Sequence, residues 1–236
     1  MNKTIHKAES RGYADHGWLQ SYHSFSFANY YNPSKIRFGL LRVLNDDIVA
    51  GGMGFGTHPH DNMEIVTIPL KGEVAHKDSM GTKEVIKSGE VQIMSAGSGL
   101  THSEFNNSEK DLVNLLQIWV FPKEKNITPR YDQKKFDSEE RKNKFQLLVS
   151  PGKENGSLWI NQNAFFSLAD FDKDMNVQYK LKNKGNGVYI FIIEGSVELD
   201  GETLNRRDAA GIEGENEINF KTIEKSEILV IEVPMN

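Results

Sequence analysis

The residues of this chain suited to chemistry are crowded into its first 102 positions. All seven histidines (His6, His16, His23, His58, His60, His76 and His102) lie there, and none follows. Two clusters stand out. In GMGFGTHPHDNME, residues 52–64, His58 and His60 are two apart; in GEVQIMSAGSGLTHSEFNN, residues 89–107, so are His102 and Glu104. Residues two apart on a strand project to one face, so each pair points one way. Pro59 cannot donate to a sheet ladder, which puts the first pair at a strand start, an edge or a bulge. Brought opposite each other inside a barrel, the pairs present three imidazoles and one carboxylate. The chain has no cysteine, so disulfides, iron–sulfur clusters and thiol nucleophiles are excluded, and any metal is held through nitrogen and oxygen. Such a donor set suits one divalent first-row ion (iron, nickel, copper, manganese, cobalt or zinc) and leaves coordination positions open, as a catalytic metal needs. Gly52, Gly54 and Gly56 alternate but lead into no helix, which excludes a dinucleotide fingerprint.

Positioning those pairs takes strands, and strands are what the rest of the chain offers. Short runs of β-branched and aromatic residues recur between Gly, Asn, Asp and Pro: FGLLRVL (38–44), EIVTIPL (64–70), EVQIM (90–94), LLQIWVF (115–121), FQLLV (145–149) and VYIFII (188–193). That spacing predicts an all-β sandwich or barrel. The polar stretch 122–142 reads as a solvated connector with a helical turn near Asp137 to Lys144. It divides the chain into an N-terminal barrel (1–122), a connector (123–142) and a C-terminal barrel (143–236). In each half an apolar strand meets a glycine, IPLKGEVAH (68–76) and FIIEGSVELDG (191–201), and both are expected to form β-hairpins. The closing strands, LLQIWVFP and EILVIEVP, are also alike. The repetition predicts a duplicated β-barrel whose copies differ in chemistry, since only the first holds histidine.

Lys and Arg number 28 against 33 Asp and Glu, a net charge of −5. That withholds the general attraction to nucleic-acid phosphates. The start, MNKTIHKAES, carries no apolar leader, and the longest apolar run, Val188 to Ile193, is far short of a membrane span. A cytoplasmic protein that binds neither nucleic acid nor membrane is expected.

The clustered residues resemble a known pattern. Gly52, His58, His60, Glu64 and Gly72 match the first motif of the cupin superfamily, with Gly72 one residue late. Gly89, Gly97, Gly99, His102 and Asn106 match the second, with Ser95 where proline is usual. At family level HSFSFANYYNP (23–33), FGLLRVLNDD (38–47), GFGTHPHDNMEIVT and SAGSGLTHSE are similar to the pirin family, over most of residues 13–121. The resemblance implies a bicupin, two tandem jelly-roll-like barrels in one chain, the second without ligands. It implies one divalent transition metal, iron(II) first, on His58, His60, His102 and Glu104. Many cupins use the first-motif carboxylate instead, here Glu64, and its strand parity also suits an inward direction. Spacing does not choose between the two; the HSE phrase of pirins points to Glu104.

The resemblance further implies the activity of the bacterial pirin-like quercetin dioxygenases. O2 would cleave a flavonol, a planar phenol, and Glu104 would also accept the substrate's proton. The alternative is the role of other pirins, a metal-binding regulator acting through protein partners, with flavonol cleavage incidental. His76, in EVAHKDSMG, is expected to be a hydrogen-bonded loop histidine. His16 and His23 lie among Trp18, Tyr22, Phe25, Phe27, Tyr30 and Tyr31, expected as a packed segment closing the first barrel or joining the two, with the lining of a pocket by a few of them as the alternative.

Overall fold

The structure, a computed structural model, describes residues 2–236. Among them there is no α-helix, and so none long and apolar enough to cross a membrane; three short 3-10 turns interrupt a succession of strands. In the N-terminal half a seven-stranded sheet runs, in spatial order, Arg130–Lys135, Glu90–Ser95, Glu64–Lys71, Val113–Val120, Leu41–Val49, Leu19–His23 and Gly12–Asp15. A four-stranded sheet completes the barrel with Gly54–His60, Leu100–Asn106, Glu73–Asp78 and Lys83–Lys87. The C-terminal half repeats this order. Its large sheet runs Asn2–His6, Ala209–Glu213, Asn186–Glu194, Ser226–Pro234, Phe165–Phe171, Gln146–Ser150 and Leu158–Trp159. Its small sheet runs Asn176–Lys180, Glu217–Thr222, Val197–Leu199 and Glu202–Leu204. The halves match strand for strand except at one edge, where Gly12–Asp15 pairs antiparallel with Leu19–His23 but Leu158–Trp159 pairs parallel with Gln146–Ser150, and the architecture is all-β and bicupin.

The glycine phrases are not hairpins. Glu64–Lys71 lies in a large sheet and Glu73–Asp78 in a small one, and Asn186–Glu194 and Val197–Leu199 are divided the same way. Gly72 and Gly195 therefore turn corners between sheets, with φ of 81° and 85° that other residues adopt only under strain. The alternation on either side looks the same whether two strands pair or part.

Two edge strands lie outside the linear division 1–122, 123–142, 143–236. Asn2–His6 pairs with Ala209–Glu213 of the C-terminal barrel, and Arg130–Lys135 of the connector pairs with Glu90–Ser95 of the N-terminal one. An unpaired sheet edge is a liability, and each barrel covers one with a strand from outside its own half. The charged connector is thus partly a strand rather than solvated chain. Tyr131 tilts against His76 at 4.8 Å between centroids, and Arg130 lies 4.8 Å over the Trp159 ring. The expected helical turn is the 3-10 segment Ser138–Arg141, where Asp137 accepts the Glu139 N–H at 3.1 Å.

Parity explains where the core sits. Leu116, Ile118 and Val120 leave one face of their strand and join Leu229, Ile231 and Val233 in a single apolar layer between the barrels. Both large sheets are consequently buried on both faces, which gives near-continuous apolar runs. The C-terminal interior is one apolar cluster containing Val177, Tyr179, Ile218 and Phe220. The N-terminal interior is split into two small clusters, one around Leu115 and Ile86, the other around Ile65 and Met94. A polar band separates them.

His6 ends the strand that crosses to the C-terminal barrel. Its Nδ1 lies 2.9 Å from the Tyr189 hydroxyl, and its ring stands edge-on to Phe25 at 5.9 Å. Burial, with a smaller push from Lys35, lowers its pKa from 6.5 to about 4. The unfolded chain then binds a proton that the folded chain refuses, so the contribution of His6 to stability is flat above pH 6.5 and falls as pH drops toward 4. The loss from this residue reaches about 3 kcal/mol. His6→Gln keeps a hydrogen bond to Tyr189 without the titration. Denaturant midpoints across pH 4 to 7.5 are expected to fall less steeply in the variant; parallel curves would contradict this.

Candidate metal centre

His58 and His60 occupy the strand Gly54–His60, which lies at a sheet edge, where Pro59 between them breaks no ladder. His102 and Glu104 lie on its neighbour, Leu100–Asn106. His102 sits directly opposite His58, and the register shifts before Glu104, which pairs with Phe55. Gly56 and Thr57 thus both face Ser103, a bulge of the kind that re-aims side chains at a site. The rings converge, with centroids 4.9 Å apart for His58–His60, 4.4 Å for His58–His102 and 4.9 Å for His60–His102. One nitrogen from each lies within 4.8 Å of the others.

The donor set fits a metal ion in three ways. His58 Nδ1 is 2.8 Å from the Gly56 carbonyl oxygen, which can only accept, so Nδ1 carries the proton and Nε2 offers its lone pair. His102 is 2% exposed, yet neither of its ring nitrogens has a hydrogen-bond partner. A bound ion satisfies such an orphan. Burial, reinforced by His58, pushes His60 down to about 4 and His102 lower still, so both imidazoles stay neutral, the form that ligates.

Glu104 stands beside His102 rather than in the group of three imidazoles. Its Oε1 accepts from the Thr67 hydroxyl at 3.1 Å and its Oε2 from Gln117 Nε2 at 2.7 Å. Burial raises its pKa to about 7 against these two bonds. Glu104, His102 and His76 also bring one ligand atom each within 4.8 Å. His76 is therefore no loop residue. It sits on the strand Glu73–Asp78, fully buried, with Nε2 3.3 Å from Asp78 Oδ2, and it pairs in register with Glu104. The turn expected at His76 begins only after Asp78.

Glu64 belongs to neither group of ligand atoms. It leaves its strand on the face of Val66, toward the other barrel, while Ile65 and Thr67 turn inward. Its Oε2 accepts from Ser95 Oγ at 2.8 Å and from the Asn161 N–H at 3.0 Å. The inward parity expected of it fails because Asn62, at φ 46°, resets the alternation between His60 and Glu64. Ser95, standing where cupins usually have proline, supplies one of its two donors.

Above the imidazoles opens a cavity of about 640 Å³, within the range of small-molecule sites. Trp119 stands edge-on to His60 at 4.8 Å, Phe27 edge-on to Trp119 at 5.4 Å, and His23 tilts against Phe27 at 5.3 Å. His16 and His23 line this cavity with Trp18, Phe27 and Tyr30, so part of the aromatic segment walls a pocket, while Phe25 packs into the apolar layer between the barrels. In the C-terminal barrel the strands matching those of His58 and His102 turn Val177, Tyr179, Ile218 and Phe220 inward. Among the described residues that barrel has no group of three ligating side chains.

Sequence reasoning missed Thr67 and Gln117, which hold Glu104. Their signal was a lone polar residue inside the apolar runs EIVTIPL and LLQIWVF.

Comparison with known proteins agrees with this geometry. A family model described as Pirin matches residues 4–120, and one described as Quercetinase C-terminal cupin domain matches residues 147–233. The chain is 44% identical over 230 residues to a quercetin 2,3-dioxygenase of Escherichia coli (strain K12), covering 98% of each. It is 39% identical over 222 residues to a pirin-like protein of Caulobacter vibrioides, covering 94% of this chain and 95% of that one. Among solved structures, YhhW from Escherichia coli superposes with a TM-score of 0.94 at 42% identity, covering 99% of this chain and 98% of that one. Bacterial pirin YhhW in complex with nickel(II) gives 0.93 at 42% identity, covering 99% of each chain.

Proposed function

The chain belongs to the pirin family, and from that premise we propose that it is a metal-dependent dioxygenase cleaving quercetin or a related flavonol with O2. The observation that carries the reading is the convergence of three imidazoles beside a buried carboxylate at the floor of an aromatic-walled cavity. The ligands are His58, His60, His102 and Glu104. Iron(II) is the resident ion in this reading; the nickel held by the Escherichia coli relative suits the same nitrogen and oxygen donors. When bound, such an ion supplies Lewis acidity that favours the deprotonated form of a flavonol hydroxyl.

The chain's own residues supply the rest. Trp119, Phe27 and Phe55 offer flat apolar walls that orient a planar guest and displace water. Glu104 takes the hydroxyl proton on a carboxylate oxygen. Thr67 and Gln117 restrain one of its oxygens each.

Glu104→Gln tests the reading, because the amide cannot take a proton and sets an N–H₂ against the Thr67 or Gln117 donor. Turnover at saturating metal is expected to fall about a hundredfold, with weaker metal binding besides. Elemental analysis and oxygen uptake with quercetin read the two effects separately. Full occupancy with full turnover would remove Glu104 from the site. A loaded wild type that consumes no oxygen with any flavonol would move the reading to the family's partner-dependent regulatory role.

A further inference from the structure

The polar band inside the N-terminal barrel extends past the metal centre. Ser21 and His23 on one strand stand directly opposite Asp47 and Asn45 on the next. Residues two apart share a face, so the four form one plaque, and all four line the cavity. Each is at most 4% exposed. The corresponding strand of the twin barrel, Phe165–Phe171, puts Ala169 and Phe171 into its interior instead. Burying a carboxylate, an imidazole, an amide and a hydroxyl where apolar side chains would fit is costly. The plaque faces the one cavity that already holds the metal centre.

Its bonding leaves acceptors toward the cavity. Ser21 Oγ–H donates to Asp47 Oδ1, and His23 Nδ1 lies 3.0 Å from Asn45 Oδ1. A carbonyl oxygen only accepts, so His23 Nδ1 carries its proton and Nε2 keeps a free lone pair. Asp47 adds a second carboxylate oxygen. Two acceptors side by side suit an O–H donor.

The spacing sets a length. Asn45 stands opposite Gln117, the residue that holds Glu104, and His23 lies one strand further. At 4.7–4.9 Å per strand, His23 is about 10 Å from the Gln117 row. We propose that Ser21, His23, Asn45 and Asp47 form a second recognition pole of the cavity, which takes a ring hydroxyl of a planar polyphenol whose other end lies at the imidazoles. This deepens the flavonol reading above and rests on it. The pocket thus selects guests hydroxylated at both ends over guests whose only oxygens face the metal.

The test is equilibrium binding without oxygen, read as quenching of tryptophan fluorescence in the full chain loaded with nickel(II), since two of the three tryptophans, Trp18 and Trp119, line the cavity. The probes are quercetin and 3-hydroxyflavone, which present the same oxygens to the metal but differ in hydroxyls on the outer rings. The wild type is expected to bind quercetin about tenfold more tightly. Ser21→Ala and Asp47→Asn are each expected to cut that preference to about threefold or less, with nickel content and 3-hydroxyflavone affinity unchanged. Ser21→Ala removes only the hydroxyl that holds the Asp47 carboxylate in its orientation, so it reports even if the Asp47 variant folds poorly. Equal affinities in the wild type, or a preference surviving Ser21→Ala, would overturn the second pole and leave the flavonol reading standing. If neither probe binds the loaded wild type, both fall.

Discussion

Replacing His102 with alanine is expected to weaken binding of nickel(II) or iron(II) by more than about a hundredfold and to abolish oxygen-dependent loss of quercetin. His102 is the hinge of the site. It belongs to both groups of ligand atoms, with His58 and His60 on one side and His76 and Glu104 on the other. Its ring is the nearest neighbour of His58, at 4.4 Å, and it touches His76 at 5.3 Å. Both of its nitrogens are buried and unpaired, so the free protein holds a desolvated polar ring that only an ion relieves. Alanine removes the ligand and that penalty together. The metal-free variant should therefore unfold at a denaturant concentration close to that of the metal-free wild type. The difference emerges when metal is added: a ligand that binds only the folded state raises stability with its concentration, and the variant should lose that gain. His76→Ala serves as the contrast, since His76 is tied to Asp78 and lies outside the converging triad. Stoichiometric metal in the His102 variant would exclude it as a ligand.

The sequence showed the histidine pairs because period-2 parity is local. His58 and His60, or His102 and Glu104, share a face whatever their strands pair with, and the similarity of the surrounding phrases to pirins supplied the rest. What stayed hidden depends on partners far along the chain. Asn45, Asp46 and Asp47 read as the turn ending FGLLRVL, yet the strand continues to Val49. Those three residues remain in it because each finds a partner elsewhere: His23, Arg207 and Ser21. Gln92, Thr67, Gln117, Asn45 and His23 form a polar row across five neighbouring strands. Along the chain Gln92, Thr67 and Gln117 are single polar residues among apolar ones, Asn45 opens a polar triplet and His23 ends a mixed strand. No one run reveals that they align. The sheet-switching glycines were equally opaque, since a corner and a hairpin need the same left-handed residue. His76 was misplaced because Asp78 and Gly81, two turn formers, follow it closely, although Asp78 is still the last residue of the strand.

The same logic of distant partners carries the largest expected effect on stability. Arg207→Met is expected to cost about 3 kcal/mol of unfolding free energy. Arg207 reaches out of the C-terminal barrel with 4% exposure, and its Nε lies 2.9 Å from Oδ2 of Asp46 in the other barrel. Its Nη1 donates to the Ile193 carbonyl at 2.7 Å, and its Nη2 donates to Asn114 Oδ1 at 3.2 Å. Asn114 in turn donates to Asp46 Oδ1 at 2.8 Å, so the two barrels share one buried network. Burial presses the Arg207 pKa down while Asp46 holds it up, the balance expected of a charge kept inside by its partner. Methionine keeps much of the apolar stem and removes the charge, leaving Asp46 with Arg11 at 3.4 Å as its remaining cation. Lysine should not rescue, because an ammonium cannot make the guanidinium's two directed bonds to Ile193 and Asn114 while also facing Asp46. Because the apolar layer between the large sheets ties the halves together, the loss should register as a lower urea midpoint in a single transition. The double variant Arg207→Met with Asp46→Asn measures the coupling: Asp46 also serves the buried Arg11, so Asp46→Asn should still destabilise the Arg207→Met protein, but by less than it destabilises the wild type. A single variant as stable as the wild type would mean that the apolar layer alone joins the barrels and that the buried pair is dispensable.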